Sequence, residues 1–240
     1  MLFRSLAAVG QAIAMLSHHI KNILQGMKGG SHLIQMGLDD EDDGLIRKGW
    51  GILERNQDRI YNLVMDMLAF GKERRPRLER GHVNQSVEEV IELIQTRADD
   101  QGVTIRTQFA TDIPESLFDH EGIHRATLNI LINALDALYG CESPTIEIAT
   151  RFDPQKDQVC IIVSDNGPGI DPVEQTKLFN LFESSKGSAG TGIGLAASQK
   201  ILREHGGEIT VVSQPQAGAK FTLAWPAHGE EFDVIESATM

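Results

Sequence analysis

The sequence predicts an α+β protein in two parts. An N-terminal helical hairpin forms a dimeric four-helix bundle, and an α/β sandwich follows, with a mixed sheet and helices on one face. Three observations lead there. Apolar residues recur in a heptad pattern over residues 2–27, turn formers at 39–44 separate that run from a second helical run, and beyond Pro76 short alternating segments mix with helical ones.

The first helix is read from Leu2, Leu6, Val9, Ile13, Leu16, Ile20, Ile23 and Met27, whose steps alternate between four and three. Leu6, Ile13, Ile20 and Met27 take the a positions, with Val9, Leu16 and Ile23 at d. Gly26, Gly29 and Gly30 each cost roughly 1 kcal/mol against alanine in a helix and mark either a flexible stretch or simply a poor helix. Asp39-Asp40-Glu41-Asp42-Asp43-Gly44 breaks the pattern. The second run carries Leu45, Ile46, Trp50, Leu53, Ile60, Leu63, Val64, Met67, Leu68 and Phe70 on its apolar side and fades at Gly71. Two helices cannot cover both apolar stripes alone, so a homodimer is expected.

The hairpin spans 1–75, a linker 76–81, the second domain 82–228 and an acidic, frayed tail 229–240. Within the second domain, helices are predicted over Ser86–Ala98, Glu121–Leu138 behind an Asp119 cap, and Gly194–His205 before Gly206-Gly207. Strands are predicted at Val103–Phe109, Thr145–Phe152, Gln158–Ser164, Glu208–Ser213 and Lys220–Trp225, with turns at 153–157 and 214–218.

Composition excludes several classes. The net charge of −12 argues against a nucleic-acid partner, and the basic cluster Lys72-Glu73-Arg74-Arg75-Pro76-Arg77 reads as a solvated linker. No apolar run reaches the ~18–20 residues of a membrane span, and Gln11, His18 and His19 interrupt any signal-peptide pattern. Cys141 and Cys160 lack metal or redox spacing, which fits a reducing cytoplasmic setting.

Four segments of the second domain carry chemistry. Asn129, Asn133 and Asp136 form a polar stripe at i, i+4 and i+7 on an otherwise apolar helix. Buried amides there need partners, and amide oxygens suit Mg²⁺ shared with phosphate. A polar helix face looking at water is the plainer alternative. Asp165-Asn166-Gly167-Pro168-Gly169 follows a strand and reads as a turn, or as a carboxylate receiving an adenine amino group. Gly190-Thr191-Gly192-Ile193-Gly194-Leu195 leads into a helix and can face phosphate with backbone N–H groups. Between these, Leu178, Phe179, Leu181 and Phe182 anchor a polar loop of lid length. A Rossmann site fails because no strand precedes Gly192-Ile-Gly194-Leu-Ala-Ala197, and no P-loop motif occurs.

In this order the four segments resemble the ATP-binding domain shared by gyrase, heat-shock chaperone, histidine kinase and mismatch-repair ATPases. The resemblance covers residues 82–226 and implies a Bergerat-type sandwich. It implies that Asn133, with Asn129 beside it, holds Mg²⁺ and that Asp165 binds adenine. Gly167 and Gly169 would shape the base pocket; Gly190, Gly192 and Gly194, with Leu195 in the same set, would embrace phosphate, helped by Lys186 and Thr191. Asn129 stands where several relatives carry a water-activating Glu, which favours transfer to a side chain over hydrolysis.

Ser17-His18-His19-Ile20-Lys21-Asn22-Ile23-Leu24 resembles the phosphoacceptor box of histidine kinases. The match implies His18 as acceptor and Asn22 as a phosphatase residue. His19 replaces the usual acid and Ile23 the usual proline. The heptad places His18 at f, facing outward, and His19 at g. His19 is expected to polarise His18. The resemblance further implies ATP and Mg²⁺, transfer to a response-regulator receiver domain, and an upstream sensor domain or protein. A regulator that binds ATP without kinase activity, as scaffold or phosphatase, is the main alternative; a dimeric ATPase is the third.

Overall fold

The computed structural model describes residues 2–71, 76–181 and 192–228, in two compact units. The basic stretch 72–75, the loop 182–191 and the acidic tail 229–240 lie outside the described residues.

One unit contains α1 (Leu2–Asp39) and α2 (Asp43–Gly71), with residues of the 177–196 segment. The predicted break is real and short. Asp42 accepts hydrogen bonds from the N–H groups of Gly44 and Leu45 at 2.8 and 3.1 Å, which caps α2, and Glu41 takes the left-handed backbone conformation. The glycines of α1 do not interrupt it. Gly26, Gly30 and Gly37 are packing positions, whereas Gly29 faces open space. A side-chain carbon on Gly30 would lie 2.8 Å from the Gly49 carbonyl oxygen, and one on Gly49 would lie 2.6 Å from that of Gly30. Gly26 leaves room for Asn56, which is 5% exposed and donates to the Ile52 carbonyl at 2.7 Å. Ile23, Leu63 and Ile193 form this unit's buried cluster, with Leu16, Met27, Ile60 and Leu181 against it.

The other unit begins with β1 (Glu79–Gly81), α3 (Val83–Asp100), β2 (Thr104–Gln108), β3 (Ser116–Phe118), α4 (His120–Ala137), β4 (Thr145–Asp153) and β5 (Gln158–Asp165). A single turn, α5 (Pro172–Gln175), follows. It closes with α6 (Gly194–Glu204), most of which it contains, β6 (Glu208–Ser213) and β7 (Ala219–Pro226). The main sheet runs β2-β4-β5-β7-β6; β2 and β4 are parallel and the remaining pairs antiparallel, so it is mixed as predicted. Sequence reading missed the small sheet in which β1 pairs with β3.

Alternation along the strands builds the core. The register aligns Ile148, Val163 and Phe221 in one row and Thr150, Ile161 and Leu223 in the next. Both rows are buried, and α3, α4 and α6 contribute Val87, Val90, Ile130, Leu131 and Leu202 to the same core. The one hydroxyl in these rows is satisfied, since Thr150 Oγ1 donates to Asn84 Oδ1 at 2.7 Å and accepts from the Ala110 N–H at 3.1 Å.

The start of α4 is held from two sides. Its cap residue Asp119 accepts from the Gly122 N–H and from the Arg77 N–H, both at 3.3 Å. The Asp119 N–H in turn donates to Nε2 of His205, 2.9 Å away, while His205 Nδ1 donates to the Ile201 carbonyl at 2.7 Å. His205 is 7% exposed and its ring works here only as the neutral form. Burial pushes its pKa below the ordinary histidine value, against the opposing Ile201 hydrogen bond and the charges of Asp119 and Glu204. The sign follows from linkage: this stability is complete above the unfolded-state pKa of about 6.5 and is lost as pH falls below it toward the depressed folded value. Urea unfolding of the wild type is expected to show weaker stability at mildly acid pH than at neutral pH, and His205→Gln should shrink that difference. An equal difference in both proteins would remove His205 from the acid response.

Candidate nucleotide and phosphoacceptor sites

Asp165 ends β5, where the strand leaves the sheet and its carboxylate meets backbone donors. Oδ1 accepts from the Gly167 N–H at 2.9 Å and the Ala219 N–H at 3.3 Å. Burial nevertheless pushes the Asp165 carboxyl above the usual carboxylate range, and those two hydrogen bonds only oppose the rise. A half-buried acid of this kind has accepting capacity for a further N–H donor.

The turn around it is fixed by close backbone approach. Gly169 and Gly218 both have positive φ, 71° and 74°. A side-chain carbon on Gly169 would collide with the Gln214 carbonyl, and one on Gly218 with the Asp165 carbonyl. Gly169 therefore serves the joint between this turn and the β6–β7 connection. Gly167 is buried against the Ala137–Leu138 end of α4. Asn166 pins the other flank, accepting from the Thr145 N–H at 2.8 Å and donating to the Ser143 carbonyl at 3.0 Å.

Along α4, Asn129 and Asn133 are partly buried one turn apart. Asn129 Nδ2 donates to Ser198 Oγ of α6 at 3.2 Å, which ties the two helices together. Asp136, third in the polar stripe, pairs instead with Arg97 on α3. Among the described residues no group of three His, Cys, Asp or Glu side chains could hold a metal ion. The donors here are neutral amides. That set suits Mg²⁺, which keeps several waters and takes oxygens from substrate phosphates.

Gly192 has φ of 63°, Ile193 is buried, and Gly194 and Leu195 open α6. They belong to the helical unit. Lys186, Gly190 and Thr191 fall outside the described residues, as does Phe182.

His18 is exposed on α1 and His19 half-buried, in keeping with the f and g assignments. Their rings meet edge to face, with centroids 6.4 Å apart. Asn22, one turn on, places Nδ2 3.2 Å from His18 Nδ1.

Sequence reading missed the supports. Ser198 is fully buried on α6, and Ser213 Oγ donates to the Gly218 carbonyl at 2.6 Å while accepting from the Ile170 N–H at 2.9 Å. Gln175 donates to the Ile170 and Ser213 carbonyls, each at 2.9 Å. A serine on the apolar face of an amphipathic helix was the available signal for Ser198; Ser213 and Gln175 are the last residues of β6 and α5, where a polar side chain is ordinary and carries none.

Comparison with known proteins places this geometry. Residues 118–229 match the family described as histidine kinase-, DNA gyrase B-, and HSP90-like ATPase. The chain is 33% identical over 225 residues to the signal transduction histidine-protein kinase AtoS of Escherichia coli (strain K12), covering 92% of this chain and 35% of that protein. It is 32% identical over 219 residues to the sensory histidine kinase/phosphatase NtrB of Vibrio alginolyticus, covering 88% and 60% respectively. The chain thus spans between about a third and three fifths of the length of these relatives. Two solved structures share the fold: histidine kinase ThkA in complex with response regulator protein TrrA (TM-score 0.74, 23% identity, covering 93% of this chain and 63% of that one), and full-length ShkA in complex with AMPPNP (0.65, 24%, 90% and 45%). Residues 118–229 thus carry this ATPase-family domain, and over about nine tenths of its length the chain is similar to the catalytic cores of two-component histidine kinases.

Proposed function

We propose that this chain binds ATP·Mg²⁺, transfers the γ-phosphoryl group to its own His18 and passes it to an aspartate of a response-regulator receiver domain. The observation that carries the reading is the union in one chain of a held acid at the end of β5, an amide pair on α4 and an exposed histidine on a helical hairpin. In this reading Asp165 receives the adenine amino group. Gly167 and Gly169 shape the base site. Gly190, Gly192, Gly194 and Leu195 face the phosphates, with Lys186 and Thr191. Asn133 holds Mg²⁺, which when bound neutralises phosphate charge, and Asn129 keeps Asn133's helix against α6. The divisions at 75, 81 and 228 are the proposed domain boundaries. NtrB's description as kinase/phosphatase and the TrrA complex of ThkA support a receiver partner and a dephosphorylating activity, for which Asn22 is the proposed residue. Input would come from a sensor domain or protein, and the free thiols Cys141 and Cys160 suit the reducing cytoplasm.

Incubation with γ-labelled ATP should give protein-bound label that is acid-labile and alkali-stable, and His18→Ala should abolish it. Label-free protein with intact ATP binding would favour the scaffold or phosphatase reading, for which His19 in the acid position is the best support. Free phosphate alone would indicate an ATPase.

A second copy of the chain is the proposed cover for the hairpin's apolar surface. Ile20, Leu24, Trp50, Tyr61, Val64 and Met67 are exposed on α1 and α2, Trp50 to 63%. Sedimentation should find a dimer, and the pair Leu24→Glu and Val64→Glu should give monomers. A wild-type monomer at micromolar concentration would contradict this.

A further inference from the structure

An amide nitrogen only donates, so the contact between Asn22 Nδ2 and His18 Nδ1 makes Nδ1 the acceptor and leaves the ring proton on Nε2. Nε2 is then the nitrogen farther from the backbone on an exposed ring, and it is the one an incoming phosphoryl group meets. With its proton in place, it has no in-plane lone pair to offer. His18 in this arrangement is at rest.

We propose that Asn22 is the positioning residue that sets the tautomer of His18, doing for the transfer step what the acid usually found at position 19 would do. The proposal rests on the kinase reading above. A carboxamide has two faces. Turned by half a rotation about its last bond, Asn22 presents Oδ1 to Nδ1, accepts from Nδ1–H, and frees the Nε2 lone pair. The change of tautomer exchanges one proton with water at each nitrogen. In the transfer, the Nε2 lone pair forms the N–P bond. The bond from the γ-phosphorus to the bridging oxygen breaks, and its electron pair leaves on ADP. The cationic ring then gives its Nδ1 proton to water. Asn22 itself takes no proton. Its place one turn from His18 makes the contact a matter of helix geometry. His19, edge to face with His18, is the competing choice for this role.

Long-range ¹H–¹⁵N correlation spectra of histidine-labelled protein, taken well above the imidazole titration range, read the tautomer directly. The wild type is expected to hold His18 mainly as Nε2–H. Asn22→Asp, whose carboxylate only accepts, should convert it to Nδ1–H, and His19→Ala should leave it unchanged. Autophosphorylation should fall about tenfold in Asn22→Ala, the rate equivalent of one lost hydrogen bond, and Asn22→Asp should restore it to the wild-type rate or above. An unchanged His18 tautomer in Asn22→Asp overturns the proposal, as does Asn22→Ala phosphorylating at the wild-type rate. A tautomer that follows His19→Ala assigns the role to His19. Absence of label in the wild type counts against the kinase reading, and the spectra then decide Asn22 alone.

Discussion

The catalytic domain turns on the seating of one carboxylate. Asp165 stands where β5 leaves the sheet, and two backbone N–H groups converge on the same oxygen. Hydrogen bonds to a charged group contribute about 1.5–3 kcal/mol each, yet burial still outweighs them in the Asp165 pKa. In the proposed reading, an exocyclic amine of the nucleotide supplies a further donor to this carboxylate. The seat depends on Gly218 and Gly169, because each lets one backbone segment lie directly against another's carbonyl. From that joint follow the position of the Asn166 clamp, the anchoring of Ser213 and the packing of Gly167 on the end of α4.

The hairpin obeys a different logic. Its helices approach backbone to backbone at Gly30 and Gly49, with no side chains between them. Close approach leaves Ile20 and Leu24 outside the intrachain core, available to another surface, and leaves His18 on the outer face with Asn22 as its neighbour. Packing and chemistry are thus assigned to opposite sides of α1.

Much of this was legible from pattern. The heptad placed His18 outward, the Asp119 cap fixed the start of α4, and the strands of the main sheet came within two residues of their observed ends because turn formers bound them and β4 and β5 alternate. Three-residue strands such as β1 and β3 are too short for any period to reveal. The stripe of Asn129, Asn133 and Asp136 was visible, but not that Asp136 turns to Arg97, since that partner lies 39 residues away in sequence. The packing role of Gly26 and Gly30 was not legible, because helix propensity records only local cost, whereas that role is set by the opposing helix. His205 gave no signal at all, for its partner is a backbone N–H.

The proposed function depends most on the Asp165 carboxylate being the nucleotide's recognition group. Calorimetric titration of MgADP into the wild type and Asp165→Asn tests it directly, with circular dichroism to verify that the variant is folded. Loss of a charge-assisted hydrogen bond of about 1.5–3 kcal/mol corresponds to binding weaker by roughly 10- to 100-fold, and that is the result the account requires. Equal affinity in the two proteins would contradict it.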